Sequence, residues 1–293
     1  MQLGQYNVHL IETCRFALDG GAMFGVVPKN LWAKGYPHVD EQNRIAMAAR
    51  ALLIQGEGRT ILVDAGCGHK MPQKQQAIYA LDNSRYTLHN GLAKHGLRPE
   101  DVTDFIYTHL HFDHAGGSTQ LDAAGQVVPT FPNARHYVQR SQLAWGRNPT
   151  DKDRASFMPE NWEPVADRGL LEELDGDGEL FPAIELRTMH GHTQGMQMVI
   201  VQNDSATVDQ PAGLVYCADL IPTRAHLPFP YVMGYDNFPL TSLQEKQTFI
   251  PEAYERRWLL CFEHDAFTDA VRIAPGKKGF EVEAEVQLQE PQN

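Results

Sequence analysis

The sequence predicts an α/β fold in which strands form sheets that pack on each other and helices cover them. Three observations carry this reading. Short runs rich in Val, Ile and Leu recur along the chain, bounded by Gly, Asn, Asp and Pro. Between them stand stretches whose apolar residues fall three and four apart. No repeat, heptad or Gly/Ser tract divides the 293 residues, so residues 1–293 read as one domain.

The elements follow in order. "RIAMAARALLIQ", "GEG" and "RTILVDAG" read as two strands around a tight turn between Arg44 and Gly66. "YTLHNGLAKHGL" has helical spacing, and "RPEDVTDFIYTH" leads into a strand. "GGSTQLDAAG" is expected to start a helix, and "ARHYVQRSQLAWGR" to be a strand followed by a helix. The polar stretch from Asn148 to Gly176, with Pro159 and Pro164, reads as an excursion or lid. "AIELRTM", "MQMVIV", "GLVYCADL" and "LLCFEH" read as strands. "SLQEKQTFIPEAYERRW" reads as a helix interrupted at Pro251, and the tail holds one or two further strands.

Composition narrows the function classes. Apolar content of 42% and charged content of 21% are ordinary for a globular protein. The formal net charge is -12, which repels phosphate backbones and argues against a nucleic-acid partner. The nearest basic cluster is the short "APGKKG". The first residues lack a basic start and apolar stretch, and no apolar run reaches membrane-spanning length. Cys14, Cys67, Cys217 and Cys261 are widely spaced, as expected for reduced core thiols in a cytoplasmic protein.

"THLHFDHAGG" places His109, His111, Asp113 and His114 within six positions. At a strand end, His109 and His111 face one side and can chelate one cation together. Asp113 and His114 follow in a loop that can turn them to a second point. Gly116 and Gly117 let the backbone close around them. Imidazole with carboxylate suits zinc first, with manganese, cobalt or iron as alternatives. His192 in "HGHTQG", Asp219 in "CADL" and His264 in "FEHD" each follow a predicted strand, where active-site loops gather on open sheets.

In this order the motifs resemble the metallo-β-lactamase superfamily, from "ILVDAG" to "FEHD". The resemblance implies a four-layer αβ/βα sandwich with two divalent metal ions between the sheets. His109, His111 and His192 would hold the first ion. Asp113, His114 and His264 would hold the second, and Asp219 would bridge the two. Asp64 matches an aspartate that supports the site from behind its ligands. His190 matches no ligand position. Two ions can share a water and bring its pKa from about 15.7 toward ~7, which gives a hydroxide nucleophile. Asp113 is then the catalytic residue that accepts or relays the proton.

"GGAMFG" and "ADLIPT" add a likeness to the quorum-quenching lactonases, which open N-acyl homoserine lactones. The expected activity is hydrolysis of an ester-like bond in a small molecule, a lactone first. Aryl ester or phosphotriester hydrolysis is the alternative, with redox or sulfur dioxygenase chemistry behind it. The compact lactonases carry a Tyr three residues after the bridging Asp, where this chain has Pro222. Thr223, His226, Tyr231 and Tyr235 are the candidates to replace it. Met23, Phe24 and Trp32 in the apolar N-terminal loop, with His226, Tyr231 and Tyr235, are expected to line the substrate pocket. The same loop is a candidate homodimer interface.

Overall fold

The chain builds two seven-stranded sheets one after the other, and a computed structural model describes residues 1–277 and 279–288. Lys278 of the basic "GKK" run lies outside the described residues. The first sheet orders its strands Gln2–Leu3, Tyr6–Asp19, Arg44–Gly56, Arg59–Val63, Asp104–Ile106, Arg135–Gln139 and Leu171–Leu174. The second runs Gly178–Phe181, Ile184–Met189, Met196–Gln202, Gly213–Tyr216, Trp258–Cys261, Ala270–Gly276 and Gly279–Val286.

Strand alternation produces the layers. Leu52 and Ile54 face an inner core shared with Ile184, Val199, Leu214 and Leu259 of the second sheet. Their neighbours Ala51 and Leu53 face the other way, onto Leu88 and Leu92 of the helix Leu88–Lys94. In the second sheet Val199 and Val201 point inward, whereas Met198 and Ile200 meet Phe249, Ile250 and Ala253 of the helix Pro239–Glu255. Helices therefore cover both outer faces, giving the expected four layers. That last helix runs through Pro251 without ending, because its buried face is held against the sheet.

Three local expectations change. "GGSTQLDAAG" forms no α-helix: a short 3₁₀ turn, Gly116–Ser118, leads into the hairpin Thr119–Leu121 and Val127–Pro129. Ser118 Oγ donates to the carbonyls of Ala115 and Asn161, which draws the chain out of helical course. The stretch 148–176 is no mere excursion. Its Leu171–Leu174 forms the edge of the first sheet, and Phe157 and Trp162 are buried in the core. Finally, Tyr6–Asp19 is a long strand that the sequence reading left without an element. A register shift between Glu12 and Cys14 breaks its alternation and hides the period-two signal.

Candidate metal centre

Strand ends deliver the site. His109 and His111 follow the strand Asp104–Ile106, and Asp113 and His114 open the short helix Phe112–Ala115. From the second sheet come His192 after Ile184–Met189, Asp219 in a 3₁₀ turn after Gly213–Tyr216, and His264 after Trp258–Cys261. The last two strands pair in parallel, so Asp219 and His264 arrive side by side. His264 is tied across to the first sheet, where its Nδ1 lies 2.9 Å from Ala48 O and its carbonyl accepts from Ala48 N at 3.2 Å.

Glycines permit the close approach. Gly66 sits at φ +68°, and a Cβ there would stand 1.9 Å from Thr13 Oγ1. A Cβ on Gly117 would stand 2.3 Å from Ala65 O, so the loop after Asp64 packs backbone to backbone on the segment carrying His114.

The predicted ligands meet in two groups. His109, His111, His192 and Asp219 bring donor atoms within 4.8 Å of one another, and so do Asp113, His114 and His264. In the first group His111 Nδ1 is 3.1 Å from both His109 Nε2 and His192 Nε2. Asp219 Oδ2 stands 3.1 Å from His192 Nε2 and 3.9 Å from His109 Nε2. Its Oδ1 faces the second group, 3.2 Å from His264 Nε2. Asp113 lies 3.7 Å from His264 Nε2 and 3.9 Å from His114 Nε2. Donors held at about 2.0–2.1 Å by a tetrahedral cation stand roughly 3.3 Å apart, which these spacings fit. Asp219 Oδ1 is also buried without a hydrogen bond among the described residues, an arrangement a cation would resolve.

Behind the donors lie groups that fix their orientation. Asp64 accepts from Thr108 N at 2.8 Å and from Thr108 Oγ1 at 2.6 Å, and sits 3.0 Å from His114 Nδ1. Glu263 Oε2 is 2.8 Å from that same Nδ1. Asp236 Oδ1 is 2.9 Å from His192 Nδ1. A carboxylate on one ring nitrogen puts the proton there and leaves the lone pair of the other facing the site. The sequence reading named Asp64 and missed Asp236 and Glu263. His190 takes no part in either group; its Nδ1 accepts from Gly195 N and braces the turn.

Burial, reinforced by neighbouring imidazoles, holds His109 and His111 well below the usual histidine range. They are neutral and able to donate a lone pair. Burial also opposes charge on His114, but Glu263, Asp219 and Asp113 outweigh it and raise its pKa. Asp219 is buried yet held well below the carboxylate range by His192, His264 and His114. The negative field that favours protons on these rings favours a cation equally. Burial lifts the Glu263 carboxyl to about 8, with Asp64 adding to the rise.

Above the two groups opens a cleft of about 100 Å³ lined by Leu18, Met23, Tyr79, Phe112, Met233 and Tyr235. From the excursion come Lys152, Asp153 and Ser156. Met23 and Tyr235 thus stand where the sequence placed them. Phe24, Trp32, His226 and Tyr231 do not line it. Phe24 stacks between Trp32 at 4.9 Å and His226 at 4.5 Å, with Tyr231 edge-on at 6.1 Å. Trp32 and His226 are almost wholly buried, and His226 is held by Thr223 Oγ1 at 2.8 Å and by Met23 O at 2.8 Å. The loop's apolar character reflects this stack, and Thr223 and His226 are spent in it. Pro222 lends its carbonyl to His264 N at 3.1 Å. Tyr79 and Phe112, unforeseen in the sequence, stack at 4.6 Å along the cleft.

Comparison with known proteins finds relatives of the same fold. The solved structure of a probable metal-dependent hydrolase from Staphylococcus aureus is similar over 100% of both chains, with 30% identity and a TM-score of 0.88. That of a dizinc quorum-quenching lactonase shares the fold at 18% identity and a TM-score of 0.77, covering 99% of this chain and 97% of that one. An N-acyl homoserine lactonase from a Bacillus species is 26% identical over 168 residues, 53% of this chain and 58% of the relative. One from Agrobacterium fabrum is 28% identical over 173 residues, 52% and 57% of the two chains. The chain thus aligns with little more than half the length of these curated relatives. The superfamily profile matches residues 46–266, a span containing all seven converging donors and Asp64, and by that match the chain belongs to the Metallo-beta-lactamase superfamily.

Proposed function

We propose that the chain is a hydrolase that uses two divalent metal ions, zinc first among them, to open an ester-like bond, a lactone being the leading substrate. One observation carries this: two donor groups meet on the floor of an open cleft, and Asp219 of the first turns its Oδ1 to His264 of the second at 3.2 Å. His109, His111 and His192 would hold one ion, and Asp113, His114 and His264 the other. When bound, the ions would acidify a water and polarise the substrate oxygen.

The chain's own residues do the rest. Asp113, a member of the second group, also lines the cleft, and it is the residue assigned to accept a proton from the attacking water. The Tyr235 hydroxyl makes no hydrogen bond among the described residues, and the residue lines the cleft, so it is the donor assigned to the substrate oxygen in place of a tyrosine at position 222. Leu18, Met23 and Met233 give an apolar wall for the acyl group. Aryl ester or phosphotriester hydrolysis is the second reading, favoured by Pro222. Four free, buried cysteines fit a cytoplasmic enzyme.

The test is a panel of lactones, aryl esters and phosphotriesters run with zinc, manganese, cobalt and iron. Two ions per chain and lactone turnover are expected. Asp219→Ala should abolish turnover and lower metal content. Turnover that survives this change, or full chelation, would sink the mechanism.

A further inference from the structure

We infer that Lys152, with Ser156, forms an anion-binding arm on the cleft rim, and that the preferred substrates carry a carboxylate remote from the scissile bond. The inference rests on the hydrolase reading above and specifies its substrate class.

Charge and hydrogen-bonding capacity lead to it. Among the described residues lining the cleft, Lys152 is the sole Lys or Arg. Its Nζ donates one hydrogen to Tyr235 O at 2.7 Å, which pins the ammonium beside the segment that presents the Tyr235 ring. An ammonium carries three donors, so two remain. Ser156, one turn further on, also lines the cleft, and its hydroxyl makes no hydrogen bond among the described residues. Two kinds of donor, an ammonium and a hydroxyl, therefore border one space.

The nearby acids Asp153 and Asp236 act on Lys152 through their charge but make no hydrogen bond to it among the described residues. Asp153 Oδ2 accepts from Trp145 Nε1 and Asn237 Nδ2, both at 2.7 Å, and its Oδ1 from Thr150 Oγ1 at 2.7 Å. Asp236 is engaged with His192 Nδ1 at 2.9 Å. Their oxygens are engaged by other donors, so two hydrogens of the Lys152 ammonium stay open for a ligand. This matters in a chain of formal net charge -12, which repels an approaching anion over its general surface. A cation at the cleft mouth supplies a local exception. Partial burial outweighs the fields of Asp236 and Asp153 and lowers the Lys152 pKa, a cost that an anionic ligand would offset.

The test compares two aryl esters of equal chain length, 4-nitrophenyl hexanoate and mono-4-nitrophenyl adipate, on metal-loaded protein. Lys152→Met should raise KM for the adipate ester about tenfold, as expected for losing a hydrogen bond to a charged group, and raise KM for the hexanoate ester far less. Lys152→Arg should restore most of the difference. Higher salt should narrow the wild-type preference. Equal changes for both esters in Lys152→Met would overturn the inference, as would a wild type without preference. Failure to turn over either ester counts against the hydrolase reading alone. Calorimetry with monomethyl and dimethyl adipate then decides the arm. Monoester binding weakened by Lys152→Met supports it, and binding that is absent or unchanged refutes it.

Discussion

Asp236→Ala tests the site through a residue that touches no substrate. Asp236 is buried, and its Oδ1 stands 2.9 Å from His192 Nδ1. That contact puts the ring proton on Nδ1 and turns the Nε2 lone pair toward His111 Nδ1, 3.1 Å away. A hydrogen bond involving a charged group contributes about 1.5–3 kcal/mol, or roughly 10- to 150-fold in an equilibrium constant. Outer partners of metal-ligating histidines typically account for about 10- to 100-fold in metal affinity. The two estimates overlap, so Asp236→Ala should weaken binding at the first site by about 10- to 100-fold. Asp236→Asn, which keeps an oxygen acceptor without the charge, should lose less. The assay is competition for zinc against a chromophoric chelator, with metal counted per chain. Exposed Asp209→Ala serves as the control for a simple change in net charge. Wild-type affinity in Asp236→Ala, or a loss no larger than in the control, would refute the reasoning.

Three further outcomes are expected. Trp32→Ala should cost about 3–5 kcal/mol in urea unfolding, because it empties one layer of the Trp32–Phe24–His226 stack. Unchanged stability with a raised KM would instead return Trp32 to the pocket wall. His136 is buried, and its pKa is pushed down to about 4 from 6.5 by burial, so the folded chain binds fewer protons than the unfolded one between those values. Stability present above pH 6.5 is then lost as pH falls toward 4, and His136→Phe should lose about 2–3 kcal/mol less than wild type between pH 7.5 and 4.5. Identical losses in the two proteins would contradict this. Tyr235→Phe should lower kcat by about 100-fold if its hydroxyl meets the substrate oxygen, whereas Tyr231→Phe, packed edge-on against Phe24, should not.

The donors were legible in the sequence because local order carries them. His109 to His114 form one motif, and the other three follow strands whose apolar runs are plain. Asp236 and Glu263 were not legible in their orienting roles. They reach His192 and His114 across sequence separations of 44 and about 150 residues, and no local pattern marks such a pair. The pocket shows the opposite failure. "GGAMFG" is apolar either way, since a core-facing ring and a cleft-facing ring have the same composition. Met23 faces the cleft while Phe24, its neighbour, is buried in the stack. Only the turn of the backbone separates them. The long strand Tyr6–Asp19 was hidden for a related reason, because one bulge shifts every later side chain to the other face.

The halves of the chain that supply the donors have another consequence. Residues 109–114 belong to the first sheet's half and residues 192, 219 and 264 to the second. With ions held as proposed, each becomes a removable crosslink between two halves that otherwise meet through side-chain packing and hydrogen bonds such as those of Ala48 with His264 and of Gln197 with Thr108. Free ion at a hundred times its dissociation constant would add about 2.7 kcal/mol per site to folding. That makes the lifetime of the protein a gauge of metal supply: a cell short of the ion would lose the enzyme to proteolysis as well as its catalysis.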